Sequence, residues 1–135
     1  MTLPNLANMT AEERRILKLK AVAAQWNLAK LKARQGDPID YIRLQWPGII
    51  LDDWQIRELK EFFRPEVREC YIKGNTGCGK GAFIGICVCL FFDLFPDSVI
   101  ILTRDSFDTA KKVLFKEVVK WFKGMALKPP HKPPT

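Results

Sequence analysis

The sequence predicts an α/β fold in which a helical N-terminal arm precedes an incomplete parallel sheet, in the order strand, glycine-rich loop, helix, strand, helix. Three observations predict it. Residues 73–80 read Lys-Gly-Asn-Thr-Gly-Cys-Gly-Lys, a glycine-rich turn between an apolar run and a helical one. The hydrophobic period, helical before this turn, becomes strand-like around it. Residues 98–103, Ser-Val-Ile-Ile-Leu-Thr, then form a β-branched run of the kind buried in parallel sheets. The connection between the two strands is expected to be right-handed.

Thr10-Ala-Glu-Glu13 reads as a capping box, with Thr10 capping a helix and Glu13 reaching back to it. That helix runs to about Arg34 and stops at Gly36. Leu17, Ala21, Ala24, Leu28 and Leu31 recur at steps of four and three. This builds one apolar stripe, expected to dock on the body of the protein or on a partner. Asp37-Pro38 starts a short second helix, broken at Trp46-Pro47-Gly48. Asp52 or Asp53 caps a third, with Trp54, Ile56, Leu59 and Phe63 mostly on one side. Residues 67–73 are the first strand, 80–95 an apolar helix and 98–103 the second strand. Asp105 or Ser106 caps a last helix, which ends at Gly124. The organisation is therefore a basic amphipathic helix (1–36), a helical segment (37–66), a truncated phosphate-loop core (67–125) and a disordered Pro/Lys tail (126–135).

The chain has 135 residues, 47% hydrophobic and 27% charged, with a net charge of +7. These are the proportions of one globular domain. The excess charge sits at the two ends, around an acidic stretch at 36–69, a layout suited to meeting a polyanion. Cys70, Cys78, Cys87 and Cys89 contain no Cys-x-x-Cys pair, and His131 stands alone, so zinc is not predicted. Reduced thiols in a cytosol are the simpler reading. The longest apolar run, residues 82–92, is too short for a membrane span of about 20 residues, and no signal peptide is seen.

Gly74-x-x-x-x-Gly79-Lys80 matches the Walker A spacing of phosphate loops. Its glycines let the backbone curl so that the amides of Gly74, Asn75, Thr76, Gly77, Cys78 and Gly79 point at phosphate oxygens. The following helix adds the positive end of its dipole. Lys80, the residue assigned a catalytic role, supplies a point charge for the β- and γ-phosphates. The next position, Gly81, belongs to the loop but carries no side chain. Ser or Thr is expected there, because its hydroxyl binds Mg²⁺ directly. ATP and Mg²⁺ are the implied cofactors, with a direct protein ligand for the metal in doubt.

Asp53-Trp54-Gln55, the loop at 73–81, and Leu94-Phe95-Pro96-Asp97-Ser98-Val99-Ile100-Ile101-Leu102-Thr103 followed by residues 105–112 together resemble the N-terminal ATPase portion of tailed-bacteriophage terminase large subunits. The resemblance covers roughly residues 50–124. It implies that Gln55 contacts adenine and that Lys80 and the loop amides hold the phosphates. It further implies double-stranded DNA, a portal and a small terminase subunit as partners of the parent protein. Assembly would occur only in the complete motor, in the bacterial cytoplasm at the viral procapsid. Residues 76–80 also resemble motif I of superfamily 2 helicases, the alternative parent; a DNA- or partner-binding remnant is a second alternative.

After Lys80 the acids are Asp93, Asp97, Asp105, Asp108 and Glu117, and none follows a third apolar strand as a Walker B acid does. The chain therefore reads as an N-terminal piece of a larger motor, binding nucleotide without efficient hydrolysis. In the last helix Lys112, Lys116, Lys120 and Lys123 share a face, opposite Phe107, Ala110, Leu114, Val118, Trp121 and Met125. Such a lysine row can track phosphates without reading sequence.

Overall fold

Thr10 starts the longest helix, α1 (Ala11–Arg34), as its sequence implies: Oγ1 accepts a hydrogen bond from the Glu13 amide at 3.1 Å. The computed structural model describes residues 8–67, 69–71, 79–104 and 106–127. Glu12 and Glu13 in the first turn of α1, and Lys32 and Arg34 in the last, oppose the ends of its dipole. The face that docks is not the leucine stripe. Ala29 and Ala33 are buried and Trp26 partly so, whereas Leu28 and Leu31 are 61% and 51% exposed. Only the C-terminal turns of α1 lie on the body, and two alanines there allow a close approach that leucines would block.

α2 (Ile39–Gln45) buries Ile39, Tyr41, Ile42 and Gln45, and Pro38, rather than Asp37, occupies its capping position. Gln45 ties down the chain after the last helix. Its Nε2 donates to the Leu127 carbonyl (2.9 Å), its Oε1 accepts from the Leu127 amide (2.9 Å), and its own carbonyl accepts from the Ala126 amide (2.8 Å). α3 (Asp53–Phe62) is closed at its start by Gln55 Oε1, which accepts from the Asp52 amide at 2.9 Å. Leu59 and the following Phe63 are its buried anchors.

α4 (Lys80–Leu94) is apolar around most of its circumference, and Phe83, Ile86, Cys87, Cys89, Leu90 and Leu94 are buried. α1, α3 and the last helix all pack on it. Its one buried charge, Asp93, accepts a short hydrogen bond from the Tyr41 hydroxyl and lies 3.8 Å from Lys30 Nζ. Burial first, and then this bond, raise the Tyr41 phenol well above its ordinary value. Arg34 Nε, donating to the Leu94 carbonyl at 3.0 Å, ends the same helix. The last helix begins with α5 (Phe107–Thr109), where Ser106 Oγ accepts from the Thr109 amide at 3.1 Å. It widens into a π-helical segment (Ala110–Phe115) and continues as α6 (Lys116–Gly124), which buries Val118 and Phe122.

The expected parallel sheet is overturned: among the described residues the protein is helical and contains no β-strand. Residues 98–103 carry no regular structure, with Val99 86% and Ile101 80% exposed. Residues 67 and 69–71 are likewise irregular, and the rest of the first predicted strand lies outside the described residues. A strand exists only where a neighbour answers its amides and carbonyls. Here the two segments line one cavity of about 600 Å³ over Cys87, Val88 and Phe91, and no backbone hydrogen bond joins their described residues. β-branched residues set an extended backbone locally but do not supply its partner.

Replacing Tyr41 by Phe leaves the buried Asp93 carboxylate without its hydroxyl donor. A loss of about 1–3 kcal/mol is expected, read as a lower urea midpoint at unchanged slope, with a smaller loss for Lys30→Met.

Candidate functional site

Of the predicted site residues, Gly74, Asn75, Thr76, Gly77 and Cys78 lie outside the described residues. Gly79, Lys80, Gly81 and Gln55 are described, and they meet at one place, the N-terminal end of α4. Gly79 is the capping residue, with φ 93°, a left-handed backbone that suits glycine, and its carbonyl accepts the Phe83 amide at 3.0 Å. Having no side chain, it leaves the first amides of α4 uncapped from its own position. Lys80 is the first helical residue, where the dipole favours an anion.

Gln55 comes from α3, yet its Nε2 donates to the Gly79 carbonyl at 3.1 Å. The fit is close: a Cβ at Gly79 would lie 2.8 Å from that nitrogen and 3.7 Å from the Trp54 ring. Trp54 packs in turn on Phe83 of α4, with ring centroids 5.7 Å apart. The Trp-Gln pair is thus a brace between the start of α3 and the start of α4. Among the described residues, the two ends of the Gln55 amide are used by Asp52 and by Gly79.

Gly81, singled out for lacking a hydroxyl, faces the last helix. Gly81, Gly85 and Cys89 recur every four residues, so they line one face of α4. Glu117 and Trp121, also four apart, lie on that groove from α6. A Cβ at Gly85 would meet Trp121 Cδ1 at 2.4 Å, and one at Gly81 would meet Glu117 Cγ at 3.5 Å and Oε1 at 3.7 Å. Cys89 Sγ donates to the Val118 carbonyl at 3.5 Å in the next turn. Trp121 Nε1 donates to Glu117 Oε2 at 3.1 Å and holds that carboxylate beside Gly81. Trp46 Nε1 bonds the Trp121 carbonyl at 2.9 Å, which fixes the far end of α6.

Glu117 is the residue that sequence reasoning passed over, since it follows no strand and fits no motif. The small-residue repeat Gly81-x-x-x-Gly85-x-x-x-Cys89 was the available signal. Among the described residues no three His, Cys, Asp or Glu side chains are gathered to hold a metal. A cleft of about 320 Å³ runs from Lys80 along Phe83, Ile84, Cys87 and Val88 towards Phe62 and Cys70. Burial pushes the Cys89 thiol up to about 12, and that of Cys87 well above its usual value, so these two cysteines are packing groups. Lys112, Lys116, Lys120 and Lys123 are all exposed. No helix among the described residues is long and apolar enough to cross a membrane.

No family model matches the chain, and neither curated proteins nor solved structures return a match.

The two glycines facing α6 are expected to respond differently to a side chain. Gly85→Ala forces Trp121 aside and is expected to cost about 1–3 kcal/mol. Gly81→Ser enters ordinary van der Waals space and should melt within a few degrees of wild type. Thermal unfolding by circular dichroism separates the two.

Proposed function

We propose that the chain binds a nucleoside triphosphate at the start of α4, and that it is the ATP-binding N-terminal part of a DNA-packaging motor of the terminase large-subunit type. The observation that carries this reading is the hydrogen bond from Gln55 to Gly79. The two pieces of the resemblance, 24 residues apart in sequence, meet at the end of the helix where the phosphates belong. Lys80 and the amides of the first turn provide positive charge there, and the Trp-Gln brace holds the end of the loop against α3.

In this reading the parent motor acts on double-stranded DNA together with a portal and a small terminase subunit, at the procapsid in the bacterial cytoplasm. The exposed lysines of the last helix suit a phosphate backbone and carry no base readout. The chain binds ATP without turning it over efficiently, because none of the acids after Lys80 has the sequence setting of a Walker B acid. The same lysines favour a second reading, a polyanion-binding remnant in which the loop is silent.

A fluorescent ATP analogue titrated into wild type and Lys80→Ala distinguishes the two. The nucleotide reading expects affinity to fall by about tenfold or more in the variant, the scale of one charge-assisted phosphate contact. Equal affinity in both proteins, or binding by neither, overturns it. The remnant reading instead expects duplex DNA binding that is steeply salt-dependent and indifferent to Lys80.

A further inference from the structure

We infer that the first half of α1 is a docking arm for a second copy of this chain, whose apolar cleft over α4 receives it. The inference stands apart from the nucleotide reading, and both halves of the contact are carried by one molecule. The face by which α1 lies on its own body runs through Ala33, Ala29 and Trp26. It continues, at the same steps of four and three, to Val22 and Leu19. Val22 is 50% and Leu19 59% exposed, with Ile16 beside them at 45%. Apart from Leu17, residues 11–25 are all exposed. The helix thus carries its docking face past the end of the surface on which it docks.

The receiving cleft is the cavity of about 600 Å³, walled by Phe62 of α3, Val88 and Phe91 of α4, Cys70, Val99 and Ile101. Large apolar groups left bare around a cavity mark a contact surface, and Val99 and Ile101 are of that kind. The rim is acidic. Glu69 is the charged residue among the described ones that line the cleft, and its carboxylate accepts from the Tyr71 hydroxyl at 2.9 Å. Burial first, and then the charges of Glu58 and Glu61, push the Cys70 thiol up, so these two carboxylates act on the same wall. Arg57 and Arg64 pair with Glu58 and Glu61 at 3.4 and 3.1 Å, which leaves Glu69 to set the sign of the rim.

The arm fits this cleft in pattern and in charge. A helix laid into an apolar groove anchors itself at positions three and four apart, as Ile16, Leu19, Val22 and Ala23 are. Residues 11–25 hold Arg14, Arg15, Lys18 and Lys20 against Glu12 and Glu13, so the arm is positive where the rim is negative. Two arms laid along each other would instead bring cation to cation. Since arm and cleft are both exposed in the single chain, neither covers the other within one molecule. Two copies that exchange arms satisfy both surfaces and close a two-fold dimer.

Sedimentation equilibrium of the whole chain tests this, at concentrations up to about 100 μM, where small interfaces associate. Wild type is expected to dimerise there, and to do so less as salt rises past about 0.1 M, where charges are screened beyond about 10 Å. Leu19→Asp spoils the arm and Ile101→Asp the cleft, both at exposed positions. Each should weaken association about tenfold or more. An equimolar mixture of the two should regain a mixed dimer, through the one intact arm in the one intact cleft. Should either variant lose helix content by circular dichroism, Glu69→Lys replaces it and should weaken association at low salt. Wild type that stays monomeric overturns the inference. So does an Ile101→Asp protein that dimerises like wild type, the result expected if arms pair with arms. A mixture no more associated than its components, or a Glu69→Lys protein unchanged at low salt, also overturns it.

Discussion

The constraint on which the structure depends is the burial of α4. A helix that is apolar around most of its circumference cannot lie on a surface, so other elements must cover it. α1 covers the C-terminal end through Ala29 and Ala33, α3 braces the N-terminal end through Trp54 and Gln55, and α6 lies along the glycine face. Asp93 is the polar exception, and it orders the C-terminal end. Its carboxylate accepts from Tyr41 and draws in Lys30, and Arg34 bonds the last carbonyl, so α1 and α2 are held at one angle to α4. A buried carboxylate that lost these partners would be costly, which makes the arrangement specific as well as stable.

The same burial decides what stands at the other end. The groove made by Gly81, Gly85 and Cys89 brings the backbones of α4 and α6 close, and the register of that contact is set by Trp121 seated against Gly85. Trp46 then bonds the Trp121 carbonyl, so α2 reads the same register from the far side. Once Trp121 is placed, Glu117 one turn earlier has only one neighbourhood to occupy, beside Gly81. A packing decision in the middle of the helix thereby fixes which side chain stands at its start.

Helix starts were legible because a cap is a local event. Thr10 and Ser106 each do within three residues what their spacing implies. The ends at Gln45 and Gly124 were legible for the same reason, through Pro47 and the glycine itself. The sheet was not, because strand formation is settled by a partner, and Val99 and Ile101 carry the side chains of a buried strand while standing exposed. The docking face of α1 was missed on a related count. Leucines announce an apolar stripe, but Ala29 and Ala33, which announce little, are the residues whose size permits contact. The bond between Gln55 and Gly79 joins two stretches that motif had singled out separately. Glu117 could not be singled out that way, since its meaning comes from a helix packing 36 residues away from Gly81 in sequence.

The position of Glu117 also bears on the start of α4. α1 opens with Glu12 and Glu13 and α3 with Asp53, acids that oppose the positive end of each helix. The first turn of α4 contains no acid. Glu117, carried on α6, places a carboxylate at the same end from outside, so the unliganded helix has an anion near its N-terminus. The acid that α1 and α3 carry in their own first turns is thus supplied to α4 by the helix packed across its glycine face.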